Sequence, residues 1–430
     1  MEYMSIENVL SGRTGDEVKI RGWIYRIRSS GGIVFAVIRD ATGIIQTTIK
    51  KGAVPDEQFS AAEGALVESS IIVSGTIKED RRAPGGVEIQ AKNVKIVHRA
   101  ENFPVTKDQS EDFLLDIRHL WLRSKKQNAV MKIKAAVLMA AREWFDMNDF
   151  YEVTPPIITP NACEGGSTLF AFDYFGNEVY LSQSAQMYLE AIMFSLERVY
   201  SLTPSFRAEK SRTPRHITEF WHLEGEEAWV DNEGNMKIQE DLISHICQSV
   251  AKSRRNEFEV LGRNIEPIKQ VEPPFERISY TTAIQKLQDM GFDIRWGDDF
   301  GAPEERALSQ ERKKPFFIVN FPKECKAFYM KENPEDTRTY LCSDLIAPEG
   351  YGEIIGASER ETSAEKLEER LRAEGANIKN YEWYLDLRRY GSVPHSGFGL
   401  GIERLVMWLC KLEHIRDAIP FPRTPSRFYP

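Results

Sequence analysis

Ser205-Phe206-Arg207-Ala208-Glu209-Lys210, followed across a short basic loop by Arg215-His216-Ile217-Thr218-Glu219-Phe220, is where the architecture of this chain can first be read. Arg207 and Glu209 stand at i and i+2, a spacing that on a strand aims both side chains at one face. Lys210, Arg212 and Arg215 fill the turn, and Phe220 sits on the return strand. These groups are what a bound nucleotide needs: a guanidinium for phosphate, a carboxylate for an amine or amide edge, and a ring for a base to stack on. A basic hairpin lying on a surface would show the same residues.

Near the C-terminal end, Gly399-Leu400-Gly401-Ile402-Glu403-Arg404 passes from a glycine-rich strand end into a helix and brings Arg404 toward a site. Alone, such a G-x-G-x-E-R run is weak. Between the two stretches, Ser363 to Glu374 has helical spacing and Phe316-Phe317-Ile318-Val319 reads as a strand, so the region is an α+β domain on a mostly antiparallel sheet. Before them, Val130, Ile133, Val137, Leu138, Ala141, Trp144 and Phe145 recur at helical spacing, which predicts a long amphipathic helix over Asn128 to Met147.

Further upstream the period changes to two. Val18 to Ile27, Ile33 to Arg39, Ile44 to Ile49, Ser70 to Ile77 and Gly86 to Val97 alternate, with breaks at Ser29-Ser30-Gly31-Gly32 and Asp40-Ala41-Thr42-Gly43. Five such runs in residues 1–100 predict a small antiparallel barrel, an OB-fold being the barrel of that count that binds oligonucleotides. The periodicity lapses at Asn102-Phe103-Pro104, and residues 101–127 read as a hinge before a domain over 128–430.

The chain has 430 residues, 42% of them hydrophobic and 28% charged, as in an ordinary globular enzyme of two or three domains. No apolar run reaches the roughly 18 residues needed to cross a bilayer, and the first residues lack the order of a signal peptide, so a cytoplasmic protein is expected. The five cysteines form no C-x-x-C pair, which suggests neither a disulfide framework nor a zinc site. A net charge of −9 excludes nucleic-acid binding over the whole surface but not at a local patch.

Taken together, the two chemical stretches resemble motifs 2 and 3 of the class II aminoacyl-tRNA synthetases, and Asp149-Phe150-Tyr151-Glu152-Val153-Thr154-Pro155 resembles motif 1. The resemblance covers essentially the whole chain and is to the aspartyl, asparaginyl and lysyl subgroup. It implies an N-terminal OB-fold that binds the tRNA anticodon, a catalytic antiparallel sheet flanked by helices, a homodimer through motif 1, and ATP as substrate with Mg²⁺. Arg207 would hold the α-phosphate and Arg404 the far end of the triphosphate, both as catalytic groups. Glu209, Arg215, His216 and Gly401 would contact ATP, and Phe220 would stack on adenine. Gly352-Glu353-Ile354-Ile355-Gly356-Ala357-Ser358-Glu359-Arg360 resembles the metal-binding strand, which makes Glu353 a ligand, with Asp344 a weaker second one. Relatives often carry serine at the position of Gly356.

The amino acid expected is asparagine. An aspartate site needs a buried cation, which aspartyl relatives supply as a lysine. Here Gln183-Ser184-Ala185-Gln186-Met187-Tyr188-Leu189-Glu190 has Leu189 in its place, followed by a carboxylate that would repel aspartate. Glu190 and Arg388 are therefore assigned to the side-chain amide, Glu164 and Gln186 to the α-ammonium, and Arg360 to the amino acid or the α-phosphate. In the barrel, the resemblance places Arg28, Phe35 and Gln46 on the central anticodon base, Phe35 by stacking and Gln46 by its donor and acceptor. Phe35 could instead be core. The competing readings are an aspartyl enzyme of relaxed tRNA choice, a paralogue that makes free asparagine with ATP, and an RNA-binding protein on a defunct synthetase fold. The last two fit poorly with the barrel and with the retained Arg207, Glu353 and Arg404.

Overall fold

The computed structural model describes residues 2–164, 168–210 and 213–430. Gly165 and Gly166, which follow Glu164 in the sequence, and the loop cation Arg212 lie outside the described residues.

Met1–Leu114 forms one compact unit. Its strands are β1 (Glu17–Ser30), β2 (Ile33–Arg39), β3 (Ile44–Lys50), β4 (Ser70–Glu79) and β5 (Val87–His98), closed in the order β1-β2-β3-β5-β4. Closure leaves no sheet edge open. Alternation decides which side chains fill it: Val34, Ala36 and Ile38 of β2 are fully buried with Ile20, Ile24, Ile45 and Ile49. Phe35 therefore belongs to the outer face and is not core. A helix over Asp56–Glu63, absent from the sequence reading, lies between β3 and β4 and packs on β5.

The second unit is Leu115–Pro430. Residues 115–127, expected as hinge, belong to it. The reason is Arg118, whose buried guanidinium donates to the carbonyls of Arg416, Ile419 and Pro420 and to Gln127. The long helix starts at Lys125, with the Ser124 side chain accepting from the Gln127 amide, and runs to Met147.

The remaining strands are β6 (Tyr151–Glu152), β7 (Ile158–Thr159), β8 (Ala171–Tyr174), β9 (Asn177–Leu181), β10 (Arg198–Phe206), β11 (Glu219–Ala228), β12 (Glu276–Ser279), β13 (Phe316–Val319), β14 (Cys342–Ala347), β15 (Gly352–Glu359) and β16 (His395–Gly401). Eight of them form one sheet, β12-β13-β14-β15-β16-β11-β10-β6, and β7-β9-β8 form a small second one. The large sheet is antiparallel except at its two ends, β12 with β13 and β10 with β6. Its back carries the main core: Phe145 of the long helix stacks on Tyr200 of β10 at 4.0 Å between ring centroids, and Leu223, Ile355, Phe398 and Leu400 add to it. The other face is left for chemistry. Among the described residues, no helix is long and apolar enough to cross a membrane.

Candidate active site

Period two along β11 builds the floor of the site. Phe220, His222, Glu224 and Glu226 alternate onto the face away from the core, and β16 is paired alongside with Gly401 opposite His222, Gly399 opposite Glu224 and Gly397 opposite Glu226. A Cβ at Gly399 would collide with the His222 ring and one at Gly397 with the Glu226 carboxylate. Gly397 and Gly399 thus make room for side chains crossing from the neighbouring strand. Over this floor lies a cavity of about 250 Å³, lined among others by Glu164, Gln186, Arg207, Phe220, Lys326, Asp344, Glu353, Arg360 and Arg404.

At one end, β10 stops at Phe206, so Arg207 and Glu209 are on the loop just past the strand rather than on it as expected. The Arg207 amide still donates to the Thr218 carbonyl at 2.9 Å. Its guanidinium lies 5.4 Å from the Phe220 ring centroid, and its buried Nε has no hydrogen-bond partner. A buried donor without a partner costs about 1–3 kcal/mol, so an anion here would be welcome. His216 lies 3.8 Å from Glu209, and burial, with Arg404 nearby, lowers its pKa and favours the neutral ring. Arg215 is held by Glu305 of the helix Ala302–Ser309 at 2.7 Å and donates to the Glu353 carbonyl at 3.1 Å. Gly401 ends β16, and Arg404, one turn into the next helix, pairs with Glu353 at 2.7 Å. Burial alone would raise the Glu353 carboxyl, but Arg404, Lys326 and Arg215 hold it at about 2.

Glu353 and Asp344 come from adjacent strands and converge over Gly356, where a Cβ would sit 3.2 Å from the Glu353 Oε1 and 3.9 Å from the Asp344 Oδ1. Two carboxylates lining the same cavity fit a divalent ion completed by water and phosphate oxygens, which is how Mg²⁺ is usually held.

At the other end, Glu164 accepts from the Tyr329 hydroxyl at 2.7 Å, and Arg360 forms a buried two-point pair with Glu226 while donating to Ser358 at 2.7 Å. Burial pushes the Glu226 carboxyl up against the pull of Arg360. Gln186 is buried in the cavity wall and donates to Glu190 at 3.0 Å.

Glu190 and Arg388 require a correction. Both side chains are fully buried, neither lines the cavity, and they pair with each other. Tyr384 donates to Glu190 at 2.8 Å, His395 lies 3.2 Å from it, and Arg388 donates to the Glu361 carbonyl at 3.0 Å. The spacing misled because Glu190 shares the face of Gln186 on the helix Gln186–Leu196 but lies one turn deeper. Leu189 is buried in an apolar cluster with Met193 and Val199. The sequence reading also passed over His222, Glu224, Glu226, Lys326 and Tyr329. The first three were signalled by the alternation that begins at Phe220; Lys326 and Tyr329, in an irregular segment, carried no such signal.

In the barrel, Arg28 and Phe35 are opposite each other on β1 and β2, with the guanidinium 4.6 Å from the ring centroid. Gln46 on β3 stands opposite Val37 and donates to Glu88 at 3.0 Å.

Residues 110–425 match the family described as tRNA synthetases class II (D, K and N), and residues 18–97 match the OB-fold nucleic acid binding domain. The chain is 55% identical to the asparagine–tRNA ligase of Thermococcus gammatolerans over 97% of this chain and 96% of that one. It is 48% identical to that of Pelotomaculum thermopropionicum over the full length of both. Among solved structures, the asparaginyl-tRNA synthetase of Pyrococcus horikoshii complexed with asparaginyl-adenylate superposes with a TM-score of 0.97 at 51% identity, covering both chains completely. The aspartyl-tRNA synthetase of Entamoeba histolytica gives 0.86 at 25% identity, covering all of this chain and 93% of that one.

Proposed function

The chain belongs to the class II tRNA synthetases of the D, K and N group and, within them, to the asparagine–tRNA ligases, and on that premise we propose how its own residues perform the reaction. The enzyme activates asparagine with ATP and transfers it to tRNA. In the first step the asparagine carboxylate attacks the α-phosphorus and pyrophosphate leaves. In the second, a terminal ribose hydroxyl of tRNA attacks the activated carbonyl and AMP leaves.

Positioning and charge neutralisation carry both steps. Arg207 takes the α-phosphate, with adenine stacked on Phe220. Arg215, His216 and Arg404 receive the outer phosphates, and Glu209 accepts from the adenine amine. Glu353 and Asp344 hold Mg²⁺, which when bound neutralises phosphate charge. Glu164 and Gln186 bind the α-ammonium, and Arg360 donates to the amino acid. Glu190 and Arg388 orient Gln186 from behind. The barrel binds the anticodon through Arg28, Phe35 and Gln46. A cytoplasmic homodimer forms through motif 1, where β6 is an edge strand and Met139, Met147 and Tyr151 are exposed.

The observation that supports this reading best is the buried Nε of Arg207, without a hydrogen-bond partner among the described residues, in the wall of a cavity that Phe220, Glu353 and Arg404 also line. The test is ATP–pyrophosphate exchange with each of the twenty amino acids, followed by acylation of purified tRNA. Exchange with asparagine alone is the expected result. Equal exchange with aspartate would replace the reading with that of a relaxed aspartyl enzyme.

A further inference from the structure

Lys326 has no part in the scheme above, yet it enters the cavity at its most acidic point. It follows the short turn Lys323–Cys325, in the connection from β13 to β14. Its ammonium lies 2.6 Å from the Asp344 Oδ2 and 4.0 Å from the centroid of the Phe321 ring, with the side chain only 15% exposed. Arg404 occupies Glu353 at 2.7 Å in the same way. Each carboxylate that would hold a divalent ion is thus already matched to a cation of the protein itself.

We propose that Lys326 is a built-in counter-ion that keeps the divalent ion out of the Asp344–Glu353 pair until a triphosphate enters, and that it then turns its ammonium to a phosphate oxygen. The inference rests on the reading of Asp344 and Glu353 as the metal pair. Its physical basis is charge. Two bare carboxylates converging over Gly356 would attract a divalent ion at all times, whereas the same pair countered by Lys326 and Arg404 has no net charge to offer. A triphosphate brings several negative charges and competes for both cations, which frees the carboxylates as it arrives. An ammonium suits this exchange: it is a point charge on a flexible stem that changes partners without a fixed fork geometry.

The test uses the full chain and Mn²⁺ as the probe, with free Mn²⁺ read by electron paramagnetic resonance in the absence of nucleotide. Lys326→Met is expected to bind Mn²⁺ about tenfold tighter than the unaltered protein, and Lys326→Arg to bind it as weakly. Lys326→Gln removes the same charge and serves if the Met variant does not fold. In pyrophosphate exchange, the neutral variants should show a raised KM for ATP, whereas an ammonium that served only to pair with Asp344 would leave that constant unmoved. Unchanged or weaker Mn²⁺ binding by folded neutral variants would overturn the proposal. Adding Glu353→Gln to the neutral variant separates the two readings: loss of the gained binding keeps the metal pair, and retention of it moves the metal elsewhere.

Discussion

Two ionic clusters in the catalytic unit are built from the same residue types and differ in what is left open. Around Glu190, Arg388, Tyr384 and His395 close on one fully buried carboxylate that lines no cavity, although the buried Nη1 of Arg388 has no partner among the described residues. Around Glu353, the charges sit at a cavity wall, partly exposed, and Arg207 keeps a donor without a partner. The first cluster has no side chain of its ion pair at the cavity and can only be structural or positioning. The second retains valences for a ligand. Neither side-chain chemistry nor a buried donor without a partner therefore separates a binding site from a buried strut; access to the cavity does.

That contrast can be broken most directly from the open side. Arg207→Ala or Arg404→Ala should lower asparagine-dependent pyrophosphate exchange by about a thousandfold, with the unfolding midpoint in urea nearly unmoved. Exchange retained within tenfold would mean that the open cluster is not the reacting one. On the closed side, Glu190→Gln leaves Arg388 as a buried unpaired charge, and chemical denaturation should show a loss on the order of 3 kcal/mol. A fully stable variant that had lost only asparagine binding would restore direct contact with substrate.

The barrel gives a smaller effect. Phe35→Ala should raise the KM for tRNA about tenfold while leaving pyrophosphate exchange intact, as one lost stacking platform predicts. The smallest effect comes from outside both clusters. His414 accepts the Arg416 backbone N–H at its Nδ1, and burial, with Arg416 nearby, lowers its pKa to about 4. Its contribution is present above the unfolded value near 6.5 and is lost as pH falls toward 4. The loss should be on the order of 1–2 kcal/mol for a partly exposed ring, and His414→Asn should flatten that part of the stability profile. A profile equally steep in the variant would assign the acid loss to other groups.

Much of this was legible in the sequence. Period-two alternation located all five barrel strands, and helical spacing located the helix of Val130 and Trp144, because both depend only on which side chains must be buried. Arg207 and Phe220 stood out by residue type around a basic turn, whereas Glu353 and Arg404 were carried by the resemblance to the synthetase motifs; all four line one cavity. Glu190 and Arg388 were assigned from a motif position and from complementarity to an amide, neither of which contains the depth of a side chain, and both lie behind the cavity wall. Lys326 and Glu305 were invisible for another reason: they reach the site from irregular connections and from a separate helix, where local pattern contains no information about the distant partner.

The bare backbone of β16 sets a limit on how this pocket could ever be remodelled. With Glu226 and His222 lying across the places where methyl groups at 397 and 399 would project, even alanine there would force those two side chains to move. On this part of the floor, remodelling has to begin with what β11 projects across the glycines.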